Sequence, residues 1–321
     1  MDLKSYQEQL NEGIKELQRL ELYRLDSNTI LLKEAFEILY KREIFSLYKV
    51  DKKFHNEYKF ILFSTLTKYS GSLAFLGIQI LAANAIMATN NFAKSETYFA
   101  KRCGIAINHL RAPVTVVSAT KCDGGYLLQG KLTWASGYGV FDTLLIGFHY
   151  NGKEYEAMSP FQNSENFIVG EVATSFVGNS MATVNIQLNN FFVPDEDIIS
   201  SKPMGNYTKA KSVSKTVHFA LYGVGVGAIE ALVDKEIKEN AHYQLEAIRD
   251  AFLETEDGAE MDRLRIKLFS LVQRVVTTGM ILYGGKSILI EEPMQRYYRE
   301  LIMFNSNGLN NTIKGLFKEQ F

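Results

Sequence analysis

Residues 123–147 read DGGYLLQGKLTWASGYGVFDTLLIG, and the architecture turns on this stretch. Asp123, Gly124 and Gly125 carry tight-turn chemistry, because glycine enters left-handed backbone without a Cβ penalty. Tyr126 to Trp134 then alternates in the manner of a strand. Upstream, Pro113 opens a β-branched run, VTVVSAT, that makes the other arm of a hairpin. Downstream, DTLLIGFHY (142–150) and KEYEAMSPF (153–161) flank Asn151-Gly152, a strong hairpin dipeptide. FIVGEV (167–172) and ATVNIQLNNFFV (182–193), stopped by Pro194, add two more strands. Short strands so closely spaced predict a small β barrel over residues 111–205, or a sandwich, rather than a parallel sheet.

Both flanks read as helix. In residues 1–110, Leu10, Ile14, Leu17 and Leu20, then Leu31, Leu32, Ala35, Phe36 and Leu39, recur at helical spacing. Asp26-Ser27-Asn28 breaks the two runs and offers an N-cap. In residues 206–321, HFALYGVGVGAIEALVDKEIKENA (218–241) reads as one helix, followed by apolar runs ending near Asp257 and Gly285. Pro293 opens another helix. The expected class is α+β: an N-terminal helical domain, a central β barrel and a C-terminal bundle of the four-helix type.

Composition narrows the function. Of 321 residues 46% are hydrophobic, ample for a packed core, and Lys+Arg 35 against Asp+Glu 36 leaves no basic surplus for nucleic acid. Two cysteines, Cys103 and Cys122, make neither a zinc set nor a disulfide scaffold, so no metal is expected. The polar start, MDLKSYQEQL, and the two thiols point to a reducing cytoplasm. Ser70 to Thr89 runs twenty residues without a charge, long enough for a membrane span. Its Gln79, Asn84 and Thr89 favour a helix buried in protein instead, and no membrane partner is expected.

No phosphate loop, nucleophile elbow or zinc-protease motif occurs. GVGVG (223–227) has the look of a dinucleotide fingerprint but sits inside a helical run with no strand before it, where close helix packing explains it. His109 and His218 border glycine-rich or β-edge segments; each is a candidate site residue or a hydrogen-bonded structural histidine.

The order helix, β barrel, helix, together with three stretches, resembles the acyl-CoA dehydrogenase superfamily. Asp123, Gly124, Gly125, Tyr126, Leu128, Gly130, Trp134, Ser136, Gly137 and Asp142 resemble its signature hairpin. NNFFVPDEDII (189–199) resembles its N-V-x-V-P strand end, and Gly284, Gly285, Arg296, Arg299 and Glu300 resemble its G-G and R-x-x-R-D segment. The similarity runs in order from about Phe60 to Phe304.

The resemblance implies FAD held between the β region and the C-terminal bundle. It assigns the flavin to Trp134-Ala135-Ser136, with the indole on the ring system and the hydroxyl near N5. As neighbours two apart on a strand, Trp134 and Ser136 are expected on one face. Gly284 and Gly285 are assigned to the adenine half, shared across a homodimer or homotetramer; a helix C-cap is the plainer reading of the pair. The substrate is a small molecule, an acyl thioester being one candidate. The chain departs from the family where it matters for chemistry. GIAINHLRAPVTVVSA (104–119) replaces the acidic, serine-rich flavin loop, and ENAHYQ (239–244) replaces an arginine segment. Neither FNSNGLNN (304–311) nor KTVHFALYG (215–223) carries the expected catalytic glutamate. Catalytic residues therefore stay unassigned, and three readings stand: a flavin oxidoreductase with another base, a flavin monooxygenase-type relative, or a non-catalytic homologue serving as an interaction subunit.

Overall fold

The computed structural model describes residues 2–112, 114–209, 214–306 and 311–319. Pro113 and residues 307–310 of the 304–311 stretch thus lie outside the described residues. Helices α1 (Leu3–Leu17), α2 (Thr29–Lys41), α3 (His55–Leu66), α4 (Gly71–Thr89) and α5 (Ser95–Phe99) come first. Strands β1 (Cys103–Ala106), β2 (Val117–Cys122), β3 (Gly125–Ala135), β4 (Thr143–Tyr150), β5 (Lys153–Pro160), β6 (Phe167–Val172), β7 (Val184–Pro194) and β8 (Ile198–Pro203) follow. Then come α6 (Asn206–Lys209), α7 (Thr216–Ala231), α8 (Lys235–Glu254), α9 (Gly258–Tyr283), α10 (Pro293–Ser306) and α11 (Asn311–Lys318). The α+β class is as expected.

Local chemistry sets several boundaries. Asn28 Oδ1 accepts the Leu31 N–H at 3.0 Å and starts α2 where the Asp26-Ser27-Asn28 break predicts. Asp234 Oδ1 accepts the Ile237 N–H at 2.9 Å and starts α8, so the single helix expected over 218–241 is two. The apolar period continues through Val233, which is why the cap is hidden in the pattern. The β4–β5 hairpin forms on Asn151 (φ 47°) and Gly152 (φ 69°), as the dipeptide predicts.

The β region is a correction. The eight strands form one mixed sheet in the order β6-β7-β3-β2-β4-β5-β8, with β1 parallel to β4 off that path. A barrel requires its first and last strands to hydrogen-bond; here β6 and β8 are both free edges, and the sheet stays open. Hairpin signals fix neighbouring pairs only, so closure was not legible. β2 also meets β4 in parallel, at Ser118 and His149. Strand β1, four residues long, falls inside the stretch read as helical because it is too short to alternate.

Helix α4 is long and apolar enough to cross a membrane, as is Gly258–Ile288, but 61% of its most apolar window is buried inside the protein. Gln79 Oε1 accepts the Ile105 N–H at 3.2 Å, so its amide is occupied against β1. The glycines of α7 are used within the chain. A Cβ on Gly223 would sit 2.1 Å from Thr67 Oγ1, one on Gly225 2.9 Å from Val272, and one on Gly227 2.5 Å from the Tyr297 hydroxyl. They seat α3, α9 and α10, as close packing predicts, and leave no small-residue face for a second copy. One hydrophobic cluster runs from Tyr6 through β3 and β7 to Phe304, joining the helices to the sheet.

Candidate functional site

The Trp134-Ala135-Ser136 segment lies where the β3–β7 ladder breaks. Leu132 pairs with Ile186 and Ala135 with Val184, so Thr133 and Trp134 together oppose the single residue Asn185. This is a β-bulge, which re-aims a side chain at the cost of a ladder bond. Trp134 takes φ 59°, left-handed backbone that a bulky residue rarely adopts. Its N–H, freed from the ladder, donates to Asn185 Oδ1 at 3.4 Å. The indole stands 66% exposed, whereas Ala135 is wholly buried and Ser136 is 5% exposed. The expected shared face is therefore wrong: the bulge breaks the alternation, sending Trp134 outward and Ser136 inward.

Ser136 is nonetheless close to polar company. Its Oγ lies 2.7 Å from Thr183 Oγ1 across the ladder end. A hydroxyl pair uses one proton between its members and leaves the other free to donate elsewhere. Next to it the Gly137 N–H donates to the Met181 carbonyl at 2.6 Å, and Ala182 is left-handed at φ 45°. Left-handed non-glycine backbone costs of order 1–3 kcal/mol per residue and gathers at functional sites. Val172, the last residue of β6 and paired with Val184, is exposed at this same end of the sheet, as is Phe176 on the chain between β6 and β7.

The C-terminal pair has a backbone reason of its own. Gly284, at φ 66° and ψ −152°, caps α9, its N–H donating to the Ile281 and Met280 carbonyls. That region of backbone space is essentially closed to other residues. A Cβ on Gly284 or Gly285 would meet no atom of the described residues within 4 Å. The C-cap reading holds.

A cleft of about 290 Å³ lies nearby in sequence terms, lined by Phe176 and Asn179 from the β6–β7 connection and by Ile288, Ile290 and Arg299 beyond the glycine pair. None of the five expected positions lines it. At its floor Arg299 pairs with Asp26, which is 4% exposed. Asp26 Oδ1 accepts the Gly178 N–H at 2.6 Å and the Ser72 hydroxyl at 3.3 Å, and Arg299 also donates to the Phe176 carbonyl at 3.0 Å. In the sequence Asp26 reads only as part of a helix break. Its partner, 273 residues away, leaves no local signal.

The rest of the R-x-x-R-E segment is structural. Glu300 Oε1 accepts the Gly71 N–H at 2.7 Å at the start of α4, and the Arg296 guanidinium lies 3.3 Å from it. Arg296 and Tyr297 both donate to the Lys68 carbonyl, at 2.8 and 2.9 Å. Burial pushes the Glu300 carboxyl above its usual range, with Arg296 pulling it back.

The two candidate histidines are buried. His109 Nε2 lies 2.9 Å from the Gly147 carbonyl, and burial pushes its pKa down to about 4. His218 Nε2 lies 2.9 Å from the Met261 carbonyl, and burial again brings its pKa to about 4. Both imidazoles are therefore neutral near pH 7. Cys103 and Cys122 are free thiols, Cys103 pushed up to about 12 by burial. Among the described residues, no three His, Cys, Asp or Glu side chains gather as a metal set.

No family model and no curated protein matches the sequence. Solved structures do. Butyryl-CoA dehydrogenase from Megasphaera elsdenii superimposes with a TM-score of 0.75 at 14% identity, over 98% of each chain. The glutaryl-coenzyme A dehydrogenase complex with glutaryl-CoA gives 0.76 at 14% identity, over 95% of this chain and 92% of that one. KijD3, bound to FMN and a dTDP-linked amino keto-sugar, gives 0.76 at 14% identity, over 98% and 93%. The chain has the acyl-CoA dehydrogenase fold.

Proposed function

We propose that this protein is a flavin-dependent oxidoreductase acting on a small molecule, with FAD seated at the β3–β7 bulge. The observation that carries the reading is Trp134: strained backbone holds a large aromatic side chain out in solvent, where it contributes little to the core. Such a group costs stability and is explained by what stacks on it. Trp134 offers an open face on which a flavin ring would stack; the Ser136–Thr183 hydroxyl pair, on the inward side of the bulge, would brace the strand end beneath it. A bound flavin would supply hydride or electron transfer; the chain's own groups would orient it and shield it with Val172 and Phe176.

Acyl-CoA dehydrogenation itself is the weaker choice of reaction. It needs a base to take the proton alpha to the thioester, normally a carboxylate, and Phe304, Asn305 and Ser306 and the 215–223 stretch contain none. Solved relatives of this fold bind both acyl-CoA and a nucleotide sugar, so the substrate class stays broader than thioesters.

We further propose a homo-oligomer in a reducing cytoplasm. Ile281, Leu282, Ile288, Leu289 and Ile290, all more than half exposed, form an apolar stretch beside the Gly284–Gly285 turn; such surface marks an interaction site. Purified protein should be yellow with stoichiometric FAD, should bleach weakly or not at all with acyl-CoA, and should sediment as a dimer or tetramer. Colourless protein whose tryptophan emission ignores added FAD and FMN would overturn the flavin reading.

A further inference from the structure

We infer that Asn185 is a positioning residue for the aromatic platform, its amide holding the bulge that turns Trp134 outward; the inference rests on the flavin reading above. The sheet contains the same device twice. On β7 the extra residue is Asn190, at φ 52°, where Leu128 pairs with Phe191 but Gln129 with Asn189. Its N–H donates to the side-chain oxygen of Gln129 on the facing strand, at 3.1 Å. On β3 the extra residue is Trp134, and its N–H donates to the side-chain oxygen of Asn185 on the facing strand. Each time a left-handed residue loses its ladder partner and a cross-strand amide replaces it.

The two copies differ in one respect. Asparagine tolerates left-handed backbone, whereas tryptophan does not. The first bulge therefore holds itself open, while the second depends on its amide. Without Asn185 Oδ1 the Trp134 N–H has no acceptor from β7, and the backbone is free to relax toward the extended region. The extra residue would stay in place, since the pairs Leu132–Ile186 and Ala135–Val184 still bracket it, but relaxation of its φ would carry the indole off its outward course. Asn185 is itself exposed and contributes nothing to the core.

Trp134 is the sole tryptophan of the chain, so its emission reports the platform alone. The test compares wild type with Asn185→Ala, Asn185→Ser and Asn185→Asp, the last keeping an acceptor oxygen at the same reach. In apoprotein, emission anisotropy should fall in Asn185→Ala and Asn185→Ser and stay at the wild-type value in Asn185→Asp. In FAD titrations followed by quenching, the first two should bind about tenfold more weakly, the loss expected for one hydrogen bond and a re-ordered side chain. Asn185→Asp should bind within about twofold of wild type on the same reasoning. Unchanged anisotropy and affinity in Asn185→Ala would overturn the proposal. Absent quenching in wild type would instead overturn the flavin reading, while the anisotropy arm still decides the role of Asn185.

Discussion

Asp26, buried, and Arg299, partly buried at the cleft, stand 273 residues apart and form an ion pair that ties the α1–α2 connection to α10 and to the chain leading into β7. Through Gly178 and Phe176 the pair fixes the segment that ends at Thr183, the partner of Ser136. The N-terminal helices thereby brace the candidate site from behind.

Removing one partner of such a pair leaves the other charge buried and uncompensated. Asp26→Ala should lower stability by about 3–5 kcal/mol in denaturant titration. Glu300→Ala, which strands Arg296 in the same way, should cost a similar amount. A loss below about 1 kcal/mol, the value of a surface pair, would show that water reaches these groups.

Stability should fall on mild acidification. His109 and His218 have folded pKa values near 4, below the ordinary 6.5. A depressed pKa contributes stability above 6.5 that is lost as pH falls through 6.5 toward 4. Each histidine is worth up to roughly 3 kcal/mol across that window. Melting temperature should therefore be level from pH 7 to 8 and drop between pH 6.5 and 4.5, and His109→Gln with His218→Gln should flatten the drop. Resonances assigned to His109 or His218 that titrate near 6.5 in the native protein would contradict this.

Trp134→Gly should leave thermal stability unchanged or raise it by up to about 1 kcal/mol, because glycine relieves the left-handed strain. A tryptophan serving the core would instead cost about 3–5 kcal/mol when truncated. The same variant should lose FAD affinity, separating binding from folding in one protein.

Gly284→Ala should destabilise by about 1–3 kcal/mol, since φ 66° and ψ −152° exclude a side chain. Gly285→Ala should change the stability of the single chain by less than about 0.5 kcal/mol, because its Cβ meets nothing. If Gly285→Ala nonetheless weakens FAD binding or assembly in sedimentation, the close approach comes from a ligand or a second copy.

Much of this was legible beforehand. The helical period of Leu10, Ile14 and Leu17, the cap at Asn28, the Asn151-Gly152 hairpin and the Pro293 start are local, and local rules govern them. The signature around Asp123 to Asp142 pointed to the right fold because turn and strand spacing survive when most side chains have changed. What the sequence could not contain is pairing at long range. Whether β6 met β8, whether Asp26 found Arg299, and which residue of β7 stood opposite Trp134 depend on how distant segments dock. The last of these decided the site: one extra residue between Leu132 and Ala135 inverts the faces that a period of two assigns. Sequence alone thus determined the elements and their order, because each is stabilised by its own neighbours in the chain. Only the tertiary structure decided which side chains face outward, because a bulge is set by the register of two strands rather than by either one.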